Sequence, residues 1–208
     1  MHSLIEKVKD ILLDPRYFFS HLHKEHGLKD AFLYFALLQA FTMFMALLVH
    51  VVFDFSIAAL IRSEYGGVPG LLGPWQPVWS SSILFIFALV GYVLSLGWGF
   101  VMAGIVHVYL LIFSGKGSYE DTYKMLAYSG TPNFLLGWIP FIGYSAIIWS
   151  LILVIIGTHH VHKMSMKKST LIYVIPLALL MLLMVTFIIF VLSVLFPALS
   201  ALSPVIID

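Results

Sequence analysis

Residues 124–142 read Lys-Met-Leu-Ala-Tyr-Ser-Gly-Thr-Pro-Asn-Phe-Leu-Leu-Gly-Trp-Ile-Pro-Phe-Ile. How this stretch is read decides how many times the chain crosses a bilayer. It is only partly apolar, and Gly130-Thr131-Pro132 and Pro140 interrupt it. Proline has no N–H to give a helix, so an unbroken span is excluded here. Basic residues flank the stretch: Lys116 and Lys124 near its start, and Lys163, Lys167 and Lys168 beyond it. Short cytoplasmic loops collect lysine and arginine, which puts both clusters on the same side. The chain between them then crosses an even number of times. Residues 142–160 are apolar and long enough for one crossing. Residues 125–139 therefore form a second, short or broken one, with Pro140-Phe141-Ile142-Gly143 as the outer turn. Broken helices are tolerated at membrane depth where neighbouring protein satisfies the freed backbone groups.

The rest of the chain follows from the same charge rule. Of its 208 residues 61% are hydrophobic and 10% charged, which places it among membrane proteins. Five of the eleven lysines and arginines precede the first long apolar run: Lys7, Lys9, Arg16, Lys24 and Lys29. Further spans are expected over about 31–61, 80–113 and 171–196, giving an all-α bundle of about five crossings. The N-terminus is expected in the cytoplasm and the C-terminus across the membrane. Residues 1–30 form a cytoplasmic segment, and 31–208 the membrane domain. Within the first segment, Leu4, Ile5, Val8, Ile11 and Leu12 share one helical face. That pattern fits an amphipathic helix at the interface, opened by a Ser3/Glu6 capping box and stopped by Asp14-Pro15. Packing of the same helix on the bundle explains the pattern equally well. Arg16-Tyr17-Phe18-Phe19 reads as an aromatic and cationic anchor, and Trp75 and Trp79 belong at interfacial depth. The start of the chain does not read as a secretory signal peptide.

Composition also excludes chemistries. With no cysteine there is no disulfide, thiolate metal site or thiol nucleophile. A net charge of +1 gives no case for nucleic acid. No serine–histidine–acid set or carboxylate pair is recognisable, so neither an enzyme nor a cofactor is expected. Gly115-Lys116-Gly117-Ser118 lacks the preceding strand and upstream glycine of a phosphate loop, which excludes nucleotide binding there.

Four groups of residues remain as candidates. Gly91, Ser95, Gly99 and Ala103 recur every four residues, a pattern that lets two membrane helices approach closely. His50 and Asp54 lie one turn apart at the end of a polar stripe in the first span. With His107 they define an intramembrane polar site, suited to proton relay or cation binding. An interior hydrogen-bonded pair, or residues touching water at the outer interface, would explain the same pattern. His159 and His162 share a face and could ligate a divalent cation with Glu120 and Asp121. Solvated interfacial histidines are the competing reading, as they are for His23 and His26.

The fourth group carries a resemblance. It comprises the run from Phe113 to Thr122 with Gly115, Lys116, Gly117, Tyr119, Glu120 and Asp121, then Tyr128, Pro132 and Pro140. With the early Asp14-Pro15-Arg16-Tyr17-Phe18-Phe19, these resemble the prokaryotic branch of the Yip-one (Ypt-interacting protein) family. The resemblance implies a five-span bundle with a cytoplasmic N-terminus. It also implies kinship with vesicle-traffic proteins that associate with prenylated Rab-type GTPases. This chain lacks their long N-terminal region and their Asp-Leu-Tyr-Gly-Pro motif, which argues against GTPase binding. The leading expectation is a non-enzymatic membrane protein that organises the bilayer or binds a membrane-protein partner or a second copy of itself. The alternative is a channel or transporter for an ion or small solute.

Overall fold

The computed structural model describes residues 4–25, 27–64 and 81–202; for 50, 51, 53–64, 81–84 and 196–202 only the backbone is described. Every regular element among the described residues is a helix. The N-terminal segment forms α1 (Leu4–Leu13), α2 (Pro15–Ser20) and a 3-10 turn (Leu22–Lys24). Two long helices follow, α3 (Lys29–Glu64) and α4 (Ser81–Ile112). Then come the short pair α5 (Tyr119–Ser129) and α6 (Thr131–Leu136), next α7 (Ile142–Val161) and last α8 (Met166–Leu202). Among the described residues, four helical stretches are long and apolar enough to cross a membrane: Lys29–Val49, Phe85–Ile112, Ile142–Val161 and Met166–Leu195. The chain up to Met164 is one compact unit, and the residues from Ser165 form another. In the second unit α8 is the most apolar of the four, with a mean hydropathy of 3.0 over its best window.

In the first unit, α5 and α6 run antiparallel to α7 along its whole length. At one end the Gly117 N–H donates to His162 Nδ1 (3.2 Å). Further along, Met125 packs on Gly157, and the Asn133 N–H donates to Ser150 Oγ (3.3 Å). At the other end Gly143 lies against Gly137, where an added Cβ would sit 2.8 Å from the Gly137 carbonyl oxygen. The two short helices thus match the full length of α7, about 30 Å at 1.5 Å per residue.

The break between α5 and α6 is repaired by neighbouring hydroxyls. Pro132 cannot donate to the Tyr128 carbonyl four residues back. Thr131 Oγ1 donates there instead (2.6 Å). Its only hydrogen is then used, so Tyr34 of α3 is the donor in the 2.8 Å bond between the two hydroxyls. At the end of α6, Thr42 of α3 donates to the Phe134 carbonyl (2.6 Å), and Trp138 Nε1 donates to the Leu135 carbonyl (2.7 Å). Backbone groups freed by Pro132 and Gly137 therefore find partners without water. Thr131→Val keeps the shape, removes the donor to the Tyr128 carbonyl and strands the Tyr34 hydroxyl. It is expected to destabilise the bundle by about 1–3 kcal/mol, measured as a lower melting temperature in detergent.

The N-terminal segment packs on the bundle. Ile11 and Phe19 are buried, and Phe19 lies against Gly157 of α7. Phe18 meets Tyr128 edge-on, with ring centroids 5.1 Å apart. Asp14 caps α2 by accepting from the Tyr17 N–H (3.2 Å), with Pro15 at the first helical position. The aromatic run is thereby divided: Phe18 and Phe19 turn inward, while Tyr17 stays 61% exposed. On α1 the outward residues are Leu4, Ile5 and Leu13. The expected apolar face is thus divided: Ile11 grips the bundle, while Leu4 and Ile5 stay exposed. Ser3, Trp75 and Trp79 lie outside the described residues.

Candidate functional site

The polar chemistry of the first unit gathers at the end that carries the N-terminal segment and most of its basic residues. Two clusters stand there. In the first, the turn after α4 closes around a buried histidine. Ser114 takes a left-handed conformation (φ 62°), and Lys163, just beyond α7, takes another (φ 53°). These two turns bring Gly115 and Gly117 against the ring of His162. A Cβ on Gly115 would lie 2.9 Å from His162 Nδ1 and 2.9 Å from the Leu110 carbonyl oxygen. One on Gly117 would lie 3.0 Å from the ring. Both glycines of the Gly-Lys-Gly motif are thus explained by close approach to His162. The Lys116 N–H donates to the His162 carbonyl (3.2 Å), closing the turn against the end of α7.

The geometry fixes the tautomer of His162. Its Nδ1 accepts from the Gly117 backbone, so the proton sits on Nε2 and points at Thr122 Oγ1 (3.0 Å). Thr122 also lies 3.0 Å from the Ser118 carbonyl and 3.0 Å from His107 Nδ1. Burial first, then the neighbouring His107, push the His162 pKa from 6.5 down to about 4, against the pull of Asp121. The unfolded chain binds this proton below about pH 6.5 and the folded chain only near pH 4, so the stability it contributes is complete above 6.5 and is lost as pH falls toward 4. At about 1.4 kcal/mol per unit, on the order of 3 kcal/mol is involved. The melting temperature of the wild-type chain is expected to fall over that window. His162→Gln should melt lower at neutral pH and show a flatter profile. Parallel profiles for the two proteins would refute this role.

The second cluster fastens the N-terminal segment to α5. Lys7 Nζ lies 2.6 Å from Glu25 Oε1 and 3.3 Å from the Tyr128 hydroxyl, which itself donates to Glu25 Oε2 (2.6 Å). Lys124 is only 1% exposed. It donates to the Glu25 carbonyl (2.5 Å) and to Glu120 Oε1 (2.6 Å). The Gly27 N–H reaches the same oxygen of Glu120 (2.8 Å). Lys124, and then Gly27, hold the Glu120 carboxyl below the ordinary carboxylate range. Lys124 is thus a buried cation bonded both to Glu120 on its own helix and to the carbonyl of the segment it retains.

The structure places the other candidates as follows. Asp121 closes a capping box with Ser118 at the start of α5, accepting from the Ser118 N–H (3.1 Å) and hydroxyl (2.6 Å). His159 Nδ1 is bonded to the Met164 carbonyl (2.5 Å), and His23 Nδ1 to the Ser20 carbonyl (3.1 Å). Each member of the proposed metal set therefore has a partner of its own. Among the described residues no three histidines or acids are grouped to hold a metal. Tyr119 anchors α5 on α4 by donating to the Phe100 carbonyl (3.0 Å). The side chains of His50 and Asp54, and all of His26, lie outside what is described, while His107 is bonded to Thr122.

The small-residue stripe divides. Ala103 is buried, and Gly99 receives the ring of Phe35 from α3, which would stand 3.0 Å from an added Cβ. Ser95 and Gly99 border an apolar cavity of about 320 Å³ between α3, α4 and α5. Gly91 faces open space. Glu25 and Tyr34 were not singled out from sequence, since only the folded turns bring them to α5 and α6.

The Yip1 domain family model matches residues 9–189, from the middle of α1 to well inside α8. The chain belongs to the Yip1 domain family. None of the curated proteins and none of the solved structures matches it. The match covers both clusters apart from Lys7, so the Gly-Lys-Gly turn on His162 and the bonds of Lys124 to Glu25 and Glu120 lie within this Yip1 domain. With its four apolar helices, the domain makes the chain an integral membrane protein.

Proposed function

We propose that this Yip1 domain protein is a non-enzymatic, five-crossing membrane protein that organises the bilayer or binds partners through its basic end. That end faces the cytoplasm, and the C-terminus lies on the other side. The fifth crossing is the pair α5 and α6, supported by its register along the whole of α7. Crossing at α7 and again at α5–α6 keeps Lys116 and Lys163 on one side, as the charge rule requires. The observation that carries the functional reading is the division of the molecule's surfaces. Around α4, Phe87, Val93, Leu94, Trp98 and Ile105 are all more than half exposed, a perimeter suited to lipid. Ion pairs and buried hydrogen bonds are concentrated at the basic end and hold the N-terminal segment there. This segment presents Leu13 and Tyr17 outward, 74% and 61% exposed.

The test is photo-crosslinking in intact membranes. A photoreactive residue in place of Leu13 or Tyr17 is expected to give discrete adducts with a membrane protein, a second copy or lipid. The same substitution at buried Phe19 should give none. Absence of every adduct at Leu13 and Tyr17 would contradict the reading.

A further inference from the structure

A cleft of about 480 Å³ opens at the basic end, beside the Gly-Lys-Gly turn. Lys116, Lys163, His23 and His160 line it from three separate elements. They come from the turn after α4, the end of α7 with its following turn, and the 3-10 turn after α2. Both lysine side chains are exposed. Arg16 is close enough to His160 to act on it electrostatically. Asp121 is the one carboxylate in the lining, and its Oδ2 already accepts from the Ser118 N–H and hydroxyl. Phe19, Leu22 and Val161 make an apolar wall.

We propose that this cleft binds the phosphate of an anionic headgroup. Two lysines line the cleft from turns joined by the Lys116 N–H to His162 carbonyl bond (3.2 Å), so the backbone that carries both cations is in place before a ligand arrives. The volume holds a group much larger than one water, whose share of liquid is about 30 Å³. The site lies at the end of α7, the depth of a headgroup layer, where lysines attract anionic lipid. The apolar wall fits the glycerol and first acyl carbons of a lipid. A soluble phosphomonoester would satisfy the same cations without using that wall. The proposal rests on the basic end lying at a headgroup layer, as in the functional reading above. It fails separately from partner binding, because lipid selectivity is read on the purified chain alone.

The experiment places the purified protein in phosphatidylcholine nanodiscs containing phosphatidylglycerol and reads retained lipid by native mass spectrometry. The wild-type chain is expected to retain phosphatidylglycerol preferentially. K116Q/K163Q should lose that preference by about 25-fold, taking roughly fivefold per lysine. K167Q/K168Q removes the same charge from residues outside the lining and should retain the preference. Inorganic phosphate added at millimolar concentration distinguishes the sources: a lipid site keeps its lipid, whereas a site for soluble phosphate gives it up. Either result supports phosphate binding in the cleft. Equal retention by wild-type and K116Q/K163Q would overturn the proposal, as would an equal loss in K167Q/K168Q. Since both cleft lysines are exposed, K116Q/K163Q is expected to melt with the wild type. If it does not, K116Q and K163Q carry the test singly, each losing about fivefold.

Discussion

Lys124→Glu is expected to prevent accumulation of folded protein. The ammonium of Lys124 is buried and holds both the Glu25 carbonyl and the Glu120 carboxylate. Reversal puts a carboxylate in the same place, against Glu120 one turn away and the carbonyl of Glu25. Loss of the ammonium alone takes a donor from the Glu25 carbonyl, and an unpaired carboxylate buried in its place is among the most destabilising single changes. The N-terminal segment would lose one of its bonds to α5, leaving the Tyr128–Glu25 bond and the Phe18–Tyr128 contact to hold it over buried Phe19. Lys124→Met is the milder companion: it retains the stem and leaves Glu120 to the Gly27 N–H. Size-exclusion profiles of fluorescently tagged protein in mild detergent would check both. A monodisperse Lys124→Glu peak at wild-type yield would contradict this role.

Gly143→Val is the second large effect. An added Cβ falls 2.8 Å from the Gly137 carbonyl oxygen, which is backbone and cannot turn aside. The start of α7 would be forced away from the end of α6, at a cost of about 1–3 kcal/mol or more. Gly91→Val provides the contrast, because nothing lies within 4 Å of its added Cβ. It is expected to leave the melting temperature of the isolated chain unchanged. A fall on Gly91→Val, accompanied by loss of a dimeric species, would mean that the upper part of the stripe packs on a second copy.

These two glycines mark where sequence reading reached its limit. Gly91 and Gly99 are alike in sequence, each four residues from a small neighbour, yet only Gly99 receives the ring of Phe35. Periodicity identifies a face; it does not show which helix covers it. The interruptions between α5, α6 and α7 were legible because Pro132 and Pro140 leave a donor missing wherever they fall. The charge rule then required an even number of crossings. What repairs the break was not legible: Thr42 and Tyr34 come from α3, about ninety residues away, and only packing brings them to Phe134 and Thr131. The capping box of Ser118 with Asp121 is a local feature, its two members three residues apart. His162 looked like one of several interfacial histidines, and only the glycine turn folded onto its ring distinguishes it. Lys124 offered a faint signal, a lone cation at the head of Met-Leu-Ala-Tyr, but its partner Glu25 is ninety-nine residues away.

The account stands or falls on whether α5 and α6 cross the membrane together. Since the chain has no cysteine, single-cysteine labelling can be done on an otherwise native background. Phe141 lies in the turn between α6 and α7 and is 86% exposed, while Lys116 lies in the turn before α5. An impermeant maleimide applied to intact cells is expected to label Phe141→Cys, and to label Lys116→Cys only after permeabilisation. Labelling of both from the same side would show that the chain between them turns back within the membrane, and would contradict the five-crossing architecture.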